Sequence, residues 1–301
     1  PPADELLDEQ VRIIANPSFT PSYVQTSKRY TRQRWLKVFC YFRVRGWGFK
    51  LISWFKRDPC NLHYLDAQSF LGHKPRLRDL RTLDLIDWNW REAVNRFPKA
   101  KRVFFGLQLF PEASIDYWLA NINLIDYENL VVRAAQAFSV QGYLVLVKDH
   151  PSQFGFRQHE LIDRLKNIPH VIFLPYEVSG NEAVSLVDTN FTLTGTLGLQ
   201  SALLGLTSIV SPTYYATEGD FLKFDELAEI ESLPQRAQSW QDALALPQRQ
   251  RRILANLLAG SFEGDYFSFR GFRPDAPPPS VVILARNLGN RLRKVIRHGL
   301  Q

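Results

Sequence analysis

From Lys101 onward the chain alternates between two rhythms of apolar and polar positions. Short, nearly unbroken apolar runs at Arg102 to Leu107, Tyr143 to Val147, Val171 to Leu174, Asn190 to Leu193 and Ser208 to Val210 read as strands buried on both faces. Between them, apolar residues recur at helical spacing over Tyr127 to Val140, His159 to Lys166, Asn181 to Val187 and Leu197 to Leu204; in the first of these Leu130, Val131, Ala134, Ala135 and Phe138 form one stripe. Such alternation predicts an α/β fold with a parallel sheet covered on both sides. Phe221 to Ile230 and Trp240 to Ala259 read as further helices, and Pro274 to Pro279 as a stiff break.

The first hundred residues follow a different pattern. Residues 1 to 30 carry little periodicity and several turn residues. Over residues 31 to 57 aromatic and basic side chains interleave, among them Trp35, Phe39, Tyr41, Phe42, Trp47, Phe49, Trp54 and Phe55. Aromatics with arginine can stack on single-stranded nucleic acid, but no RNA-binding signature accompanies them, and an amphipathic helix with its aromatics in the core is the preferred reading. Residues 58 to 100 are polar and broken by Pro59, Pro75 and Pro98, as expected of a link.

Charge changes this picture. The net charge is +7, yet eleven Lys or Arg and no acid lie between Gln10 and Arg57, and five more with no acid follow Asp275. Removing these sixteen positive charges leaves −9 for the rest. Basic ends of this kind suit an anionic partner: a membrane leaflet, a lipid-linked or acidic glycan, or nucleic acid. In the tail, Val281, Leu284, Leu288, Leu292, Val295 and Ile296 recur at helical spacing while Arg286, Arg293, Lys294 and Arg297 occupy other faces. A basic amphipathic helix either lies in a membrane surface or packs back on the protein. No apolar run approaches the roughly 18 residues of a membrane span, and the first residues do not read as a signal peptide. With two cysteines, Cys40 and Cys60, a disulfide framework is not expected and a cytoplasmic location is.

Candidate chemistry sits where predicted strands give way to loops. The strings FGLQLFPEAS (105 to 114), LVKDHPSQFGFR (146 to 157) and TLTGTLGLQSALLG (192 to 205) each occupy such an edge, where open α/β sheets bind ligands. Glu112, the only acid of its loop, suits a nucleophile or general base, or else caps a helix starting near Ala113. His150 follows an apolar strand directly, so its ring belongs at the sheet edge. As a protonated or donor imidazole beside Lys148 it suits a phosphate, with Pro151 fixing the backbone after it and Asp149 orienting the ring or facing solvent. Thr194, Gly195 and Thr196 precede a helix whose N–H groups suit an anion, with Thr194 or Thr196 as an N-cap in the plainer reading. A phosphorylated donor would suit this set. The histidines show no zinc spacing, there is no Walker loop or GxGxxG, and no DxD-type pair offers a metal site, so no metal and no cofactor are expected.

These three strings, in order from about Lys101 to Pro212, resemble the bacterial capsule polysaccharide biosynthesis family, which includes Kdo transferases using CMP-Kdo. The resemblance implies a GT-B fold of two Rossmann-like halves: an acceptor half over 1–100, a donor-binding half over 101–275, and a basic amphipathic helix over 276–301. It implies a metal-independent glycosyltransferase that moves Kdo or a related acidic sugar from a CMP-linked donor to a bacterial surface polysaccharide or glycolipid. Its partners would be a nucleotide sugar, a glycan or lipid-linked acceptor and an anionic membrane met through Arg286, Arg293, Lys294 and Arg297, with no nucleic acid. Glu112 and His150 match the family's catalytic positions. Gln108 and Ser114 complete its Gln-x-x-x-Asp/Glu-x-Ser pattern and are implied to bind the donor. Lys148, Pro151, Arg157, Thr194, Gly195, Thr196 and Gln200 match donor-binding positions, although the family usually has Glu where Gln200 stands. A UDP- or GDP-sugar transferase, or a non-catalytic glycan-binding or scaffold subunit, are the alternatives.

Overall fold

A computed structural model describes residues 4–14, 16, 30–56, 76–109, 119–259, 261 and 279–299. Its centre is a six-stranded, all-parallel sheet of β1 (Arg102–Gly106), β2 (Leu144–Lys148), β3 (Val171–Leu174), β4 (Thr189–Phe191), β5 (Thr207–Val210) and β6 (Leu222–Lys223), in the order β3-β2-β1-β4-β5-β6. That order is Rossmann-like: the chain winds outward from β1 in one direction, then returns beside it and winds in the other. β1 and β4 therefore flank the point where loops diverge to opposite faces.

The strands are apolar on both sides because helices cover both. Val103 and Phe105 of β1 join Val145, Val147 and Phe173 in one core with Leu130, Ala134 and Phe138 of α4 (Tyr127–Val140) and Leu161, Ile162 and Leu165 of α5 (His159–Lys166). On the opposite face Phe104, Leu144, Leu146 and Ile172 meet Trp90 and Val94 of α3 (Trp90–Asn95) and Ala183 and Val184 of α6 (Gly180–Val184). A third core gathers Leu199, Ala202 and Leu203 of α7 (Thr196–Leu203), Val210, and Ile253 and Leu254 of α9 (Leu246–Ala259), with Leu7 of α1 (Asp4–Ile14) against it.

Several expectations change. A helix, α1, forms where little periodicity was seen, since its buried position Leu7 is supported by ion pairing of Asp8 with Arg251 at 2.9 Å. Phe221 to Ile230 is not one helix: Leu222 pairs with Ile209 as an edge strand, and a 3-10 turn follows at Leu227–Ser232 before α8 (Leu233–Ser239). The helix expected from Trp240 begins at Leu246, with Pro247 in its first turn, where a missing N–H costs nothing. Before Lys101 the described residues form helices and 3-10 turns and no strand; these include α2 (Arg32–Lys56). They join the sheet's own cores: Trp35 is 1% exposed, and Asp87 exchanges backbone and side-chain hydrogen bonds with Phe173 of β3. The tail is α10 (Pro279–Gly299), helical as expected, with Leu288, Leu292, Val295 and Ile296 exposed.

Candidate functional site

The three strand ends converge on the β1/β4 switch point. Gln108, just past β1, donates from Nε2 to Thr192 Oγ1 at 3.1 Å and Thr194 Oγ1 at 3.4 Å, while its own N–H donates to the Tyr127 hydroxyl at 2.8 Å. The first and third motifs are thus joined side chain to side chain. Gly195 lies in the same knot, its N–H donating to Thr192 Oγ1 at 3.3 Å and its carbonyl accepting from the Tyr215 hydroxyl at 2.6 Å. A Cβ there would stand 2.7 Å from Thr192 Oγ1 and 2.8 Å from Gln108 Nε2, so close approach demands glycine.

The N-cap of α7 is Gly195, with no side-chain cap bond; neither Thr194 nor Thr196 fills the cap role expected of them. No side chain caps the start of α7; Thr196 is exposed there, while the Gly198 N–H already donates to the Gly195 carbonyl at 2.9 Å. Gln200 is buried one turn further along the same helical face.

The second motif is built around a buried carboxylate. Asp149 neither orients the imidazole nor meets solvent. Its Oδ1 accepts from the His150 N–H at 2.8 Å and from Arg157 Nε at 2.9 Å, and its Oδ2 accepts from the Tyr176 hydroxyl at 2.6 Å. Arg157, 4% exposed, also donates from Nη2 to the Gln108 carbonyl at 2.8 Å, which locks the His150 loop to the first motif. Burial works against the Arg157 charge, but Asp149 and the phenols of Tyr127 and Tyr176 hold its pKa above the ordinary value. Gly155 takes φ of +87°, and a Cβ there would lie 2.9 Å from Val38 of α2, so glycine both turns this loop and admits the helix.

His150 is half-buried at the lip. Its Nδ1 accepts from the Ser152 N–H at 3.1 Å, which leaves the ring proton on Nε2. Pro151 contributes by opening the 3-10 turn that brings Ser152 N–H to the ring. Burial, aided by the positive Lys148 and Arg157 and opposed by Asp149, pushes the imidazole down to about 4. A protonated ring is therefore the wrong state at neutral pH; the ring is a neutral Nε2–H donor. Burial also lowers Lys148 from 10.5 to about 8, against the pull of Asp149 and Glu177, so the ammonium still carries most of its charge at neutral pH. Its Nζ donates to the Asp149 carbonyl at 3.2 Å. An ammonium, a neutral N–H donor and a helix start at one strand edge can hold an anion and stabilise charge that grows on it.

Glu112 and Ser114 lie outside the described residues. Thr192, Tyr127, Tyr176 and Tyr215, which hold the strand ends together, were not anticipated. Tyr176 follows the end of β3 at the same offset as His150 follows β2, and that repeated spacing was the available signal. Burial raises Tyr127 to about 12, so it stays a neutral phenol.

Among the described residues the one cluster with metal-ligand character is Asp79, His159 and Glu160, whose ligand atoms lie within 4.8 Å of one another. Arg76 and Arg78 hold the two Glu160 oxygens at 2.5 and 2.7 Å, and Asp79 accepts from His159 Nδ1 at 3.0 Å, so the cluster works as an ion-pair network between the Leu77–Asp84 turn and α5. A depression of about 650 Å³ between α4 and α5, lined by Gln136, Arg164 and His170, opens at the other end of the sheet.

The sequence matches no protein-family model and no curated protein. Among solved structures it has a likeness to Thermosulfurimonas dismutans KpsC, a beta Kdo 2,4 transferase, at 18% identity and a TM-score of 0.36, over 51% of this chain and 44% of that one. The chain thus spans less than half of that protein's length, and a likeness of this size carries no inference about activity.

Proposed function

We propose that this chain is a metal-independent glycosyltransferase that moves Kdo or a related acidic sugar from a CMP-activated donor to a bacterial surface polysaccharide or glycolipid. The observation that carries the reading is the knot of Gln108, Thr192, Thr194 and Gly195 at the switch point, tied through Arg157 to the loop of Lys148 and His150. In this reading the cytidylate phosphate lies between the start of α7 and the Lys148/His150 pair. As the bond from the sugar to the phosphate oxygen breaks, the electron pair stays on CMP, and Lys148 with the His150 Nε2–H offsets the new charge. Thr194, Thr196 and Gln200 line the nucleotide. Arg157 acts behind the site as a positioning residue, and Glu112 and Ser114 would act from the first-motif loop on the sugar. The GT-B division, with a donor half over 101–275 and residues 1–100 on the acceptor side, belongs to the same proposal, although the described residues of 1–100 are helical and pack on the donor sheet without forming a second Rossmann-like sheet of their own. So does a station on the inner face of the cytoplasmic membrane, met through Arg286, Arg293, Lys294 and Arg297 of α10.

Thermal protection by nucleotides tests the donor. CMP is expected to raise the melting temperature more than UDP or GMP does, and His150→Ala to lose most of that protection while remaining folded. Equal protection by all three nucleotides would remove the CMP assignment. Full protection of His150→Ala would take that residue out of the site.

A further inference from the structure

The exposed face of α2 is a second surface in need of a partner. At about 100° per residue, Trp35, Val38, Phe39, Phe42 and Phe49 fall on one face of this helix. That face is spent on the protein: Trp35 is buried, Phe39 packs against the core, Val38 meets Gly155, and Phe42 meets Phe156 edge to face with centroids 4.6 Å apart. The opposite face is equally apolar. Val44, Trp47, Leu51, Trp54 and Phe55 fall within about 100° of arc, and Val44, Trp47, Trp54 and Phe55 are 71%, 76%, 71% and 69% exposed. Arg43 and Lys50 run along one border of that stripe and Arg45 along the other, in a stretch with no acid between Gln10 and Arg57. A helix with two apolar faces, one of them in water, has burial left to complete.

We propose that the outer face of α2 seats in an anionic lipid bilayer, lying in the plane of the interface. Tryptophan is enriched at the boundary of headgroup and acyl chain, and basic borders match anionic headgroups. Among the described residues no helix is long and apolar enough to cross a membrane, so the contact is one of lying on the surface. Charge complementarity selects lipid over a second copy of the same face, because two such acid-free faces would bring Arg43, Arg45 and Lys50 against one another. Since the inner face of α2 braces the loop that carries His150, the docked helix would hold that loop near lipid-linked molecules. The proposal does not depend on the donor assignment, because vesicle binding reads it without nucleotide.

Co-sedimentation of the full chain with phosphatidylcholine vesicles, with and without phosphatidylglycerol, tests it. The wild type is expected to pellet with the anionic vesicles, with a blue shift of tryptophan emission. Trp47→Gln/Trp54→Gln/Phe55→Gln should melt like the wild type and bind at least tenfold more weakly. Arg43→Gln/Arg45→Gln should lose roughly 25-fold, about fivefold for each basic residue at the surface. The same variants with α10 neutralised (Arg293→Gln/Lys294→Gln/Arg297→Gln) separate the two helices: α2 losses must persist there. Wild-type affinity in both α2 variants would overturn the proposal. So would an α2-dependent dimer in vesicle-free buffer with no vesicle binding, which would assign the face to a second copy.

Discussion

Arg157→Met separates a positioning role for Arg157 from a ligand contact. Methionine keeps much of the apolar stem but removes the guanidinium, leaving Asp149, 1% exposed, with a buried charge and the Gln108 carbonyl without its 2.8 Å donor. The hydrogen bond from Nε to Asp149 at 2.9 Å and the ion-pair contact of Nη2 with the same oxygen at 2.8 Å are lost. Breaking one side of a buried ion pair costs about 3–5 kcal/mol, most of it from the stranded charge. For a chain of this size that is a fall in melting temperature on the order of 10 °C. Removing the charge as well, in Asp149→Asn/Arg157→Met, should recover about half of the loss, because the asparagine oxygen still accepts from the His150 N–H while its NH2 donates to the Tyr176 hydroxyl oxygen. Urea and thermal denaturation followed by circular dichroism, arranged as a double-mutant cycle, give the coupling. An Arg157→Met protein within about 0.5 kcal/mol of wild type, with nucleotide affinity lost, would refute the reasoning and make Arg157 a contact to the ligand.

The Lys148 ammonium gives a pH signature: anion affinity should hold below pH 8 and fall as pH rises through about 8, and Lys148→Met should abolish both affinity and profile. Between about 8 and 10.5 the unfolded lysine binds more protons than the folded one, so stability should rise with pH across that window, by about 3 kcal/mol in full; a flat curve in urea would contradict the burial argument. Gly195→Ala, at a φ of −68° that alanine accepts readily, should cost about 1–3 kcal/mol and weaken nucleotide binding through its clash with Thr192 and Gln108 alone. Wild-type behaviour would show that the knot yields. Glu112→Gln should abolish turnover with donor affinity kept, and EDTA should leave the rate unchanged; a wild-type rate in the variant, or loss in EDTA restored by magnesium, would each defeat that part.

The second half of the chain was legible because its strands are buried on both faces and its helices on one, so apolar period alone separated them. The three motifs stood at strand ends by the same logic. Contacts that cross the sheet were not legible: nothing local marks Tyr176 as the donor to Asp149, or ties Arg157 to a carbonyl 49 residues away. Local rules also failed for β6, a two-residue edge strand set by pairing with β5. In α2 the two opposite apolar faces cancel any one-sided pattern, so the expected core helix is only half of what forms.

A crystal structure of the full chain with CMP tests the central claim most directly. The phosphate is expected between the α7 start at Thr196 and the Lys148/His150 pair, with Gln200 and Thr194 facing the nucleoside. CMP seated instead in the depression between α4 and α5, or a phosphate that touches neither His150 nor the α7 start, would contradict the account.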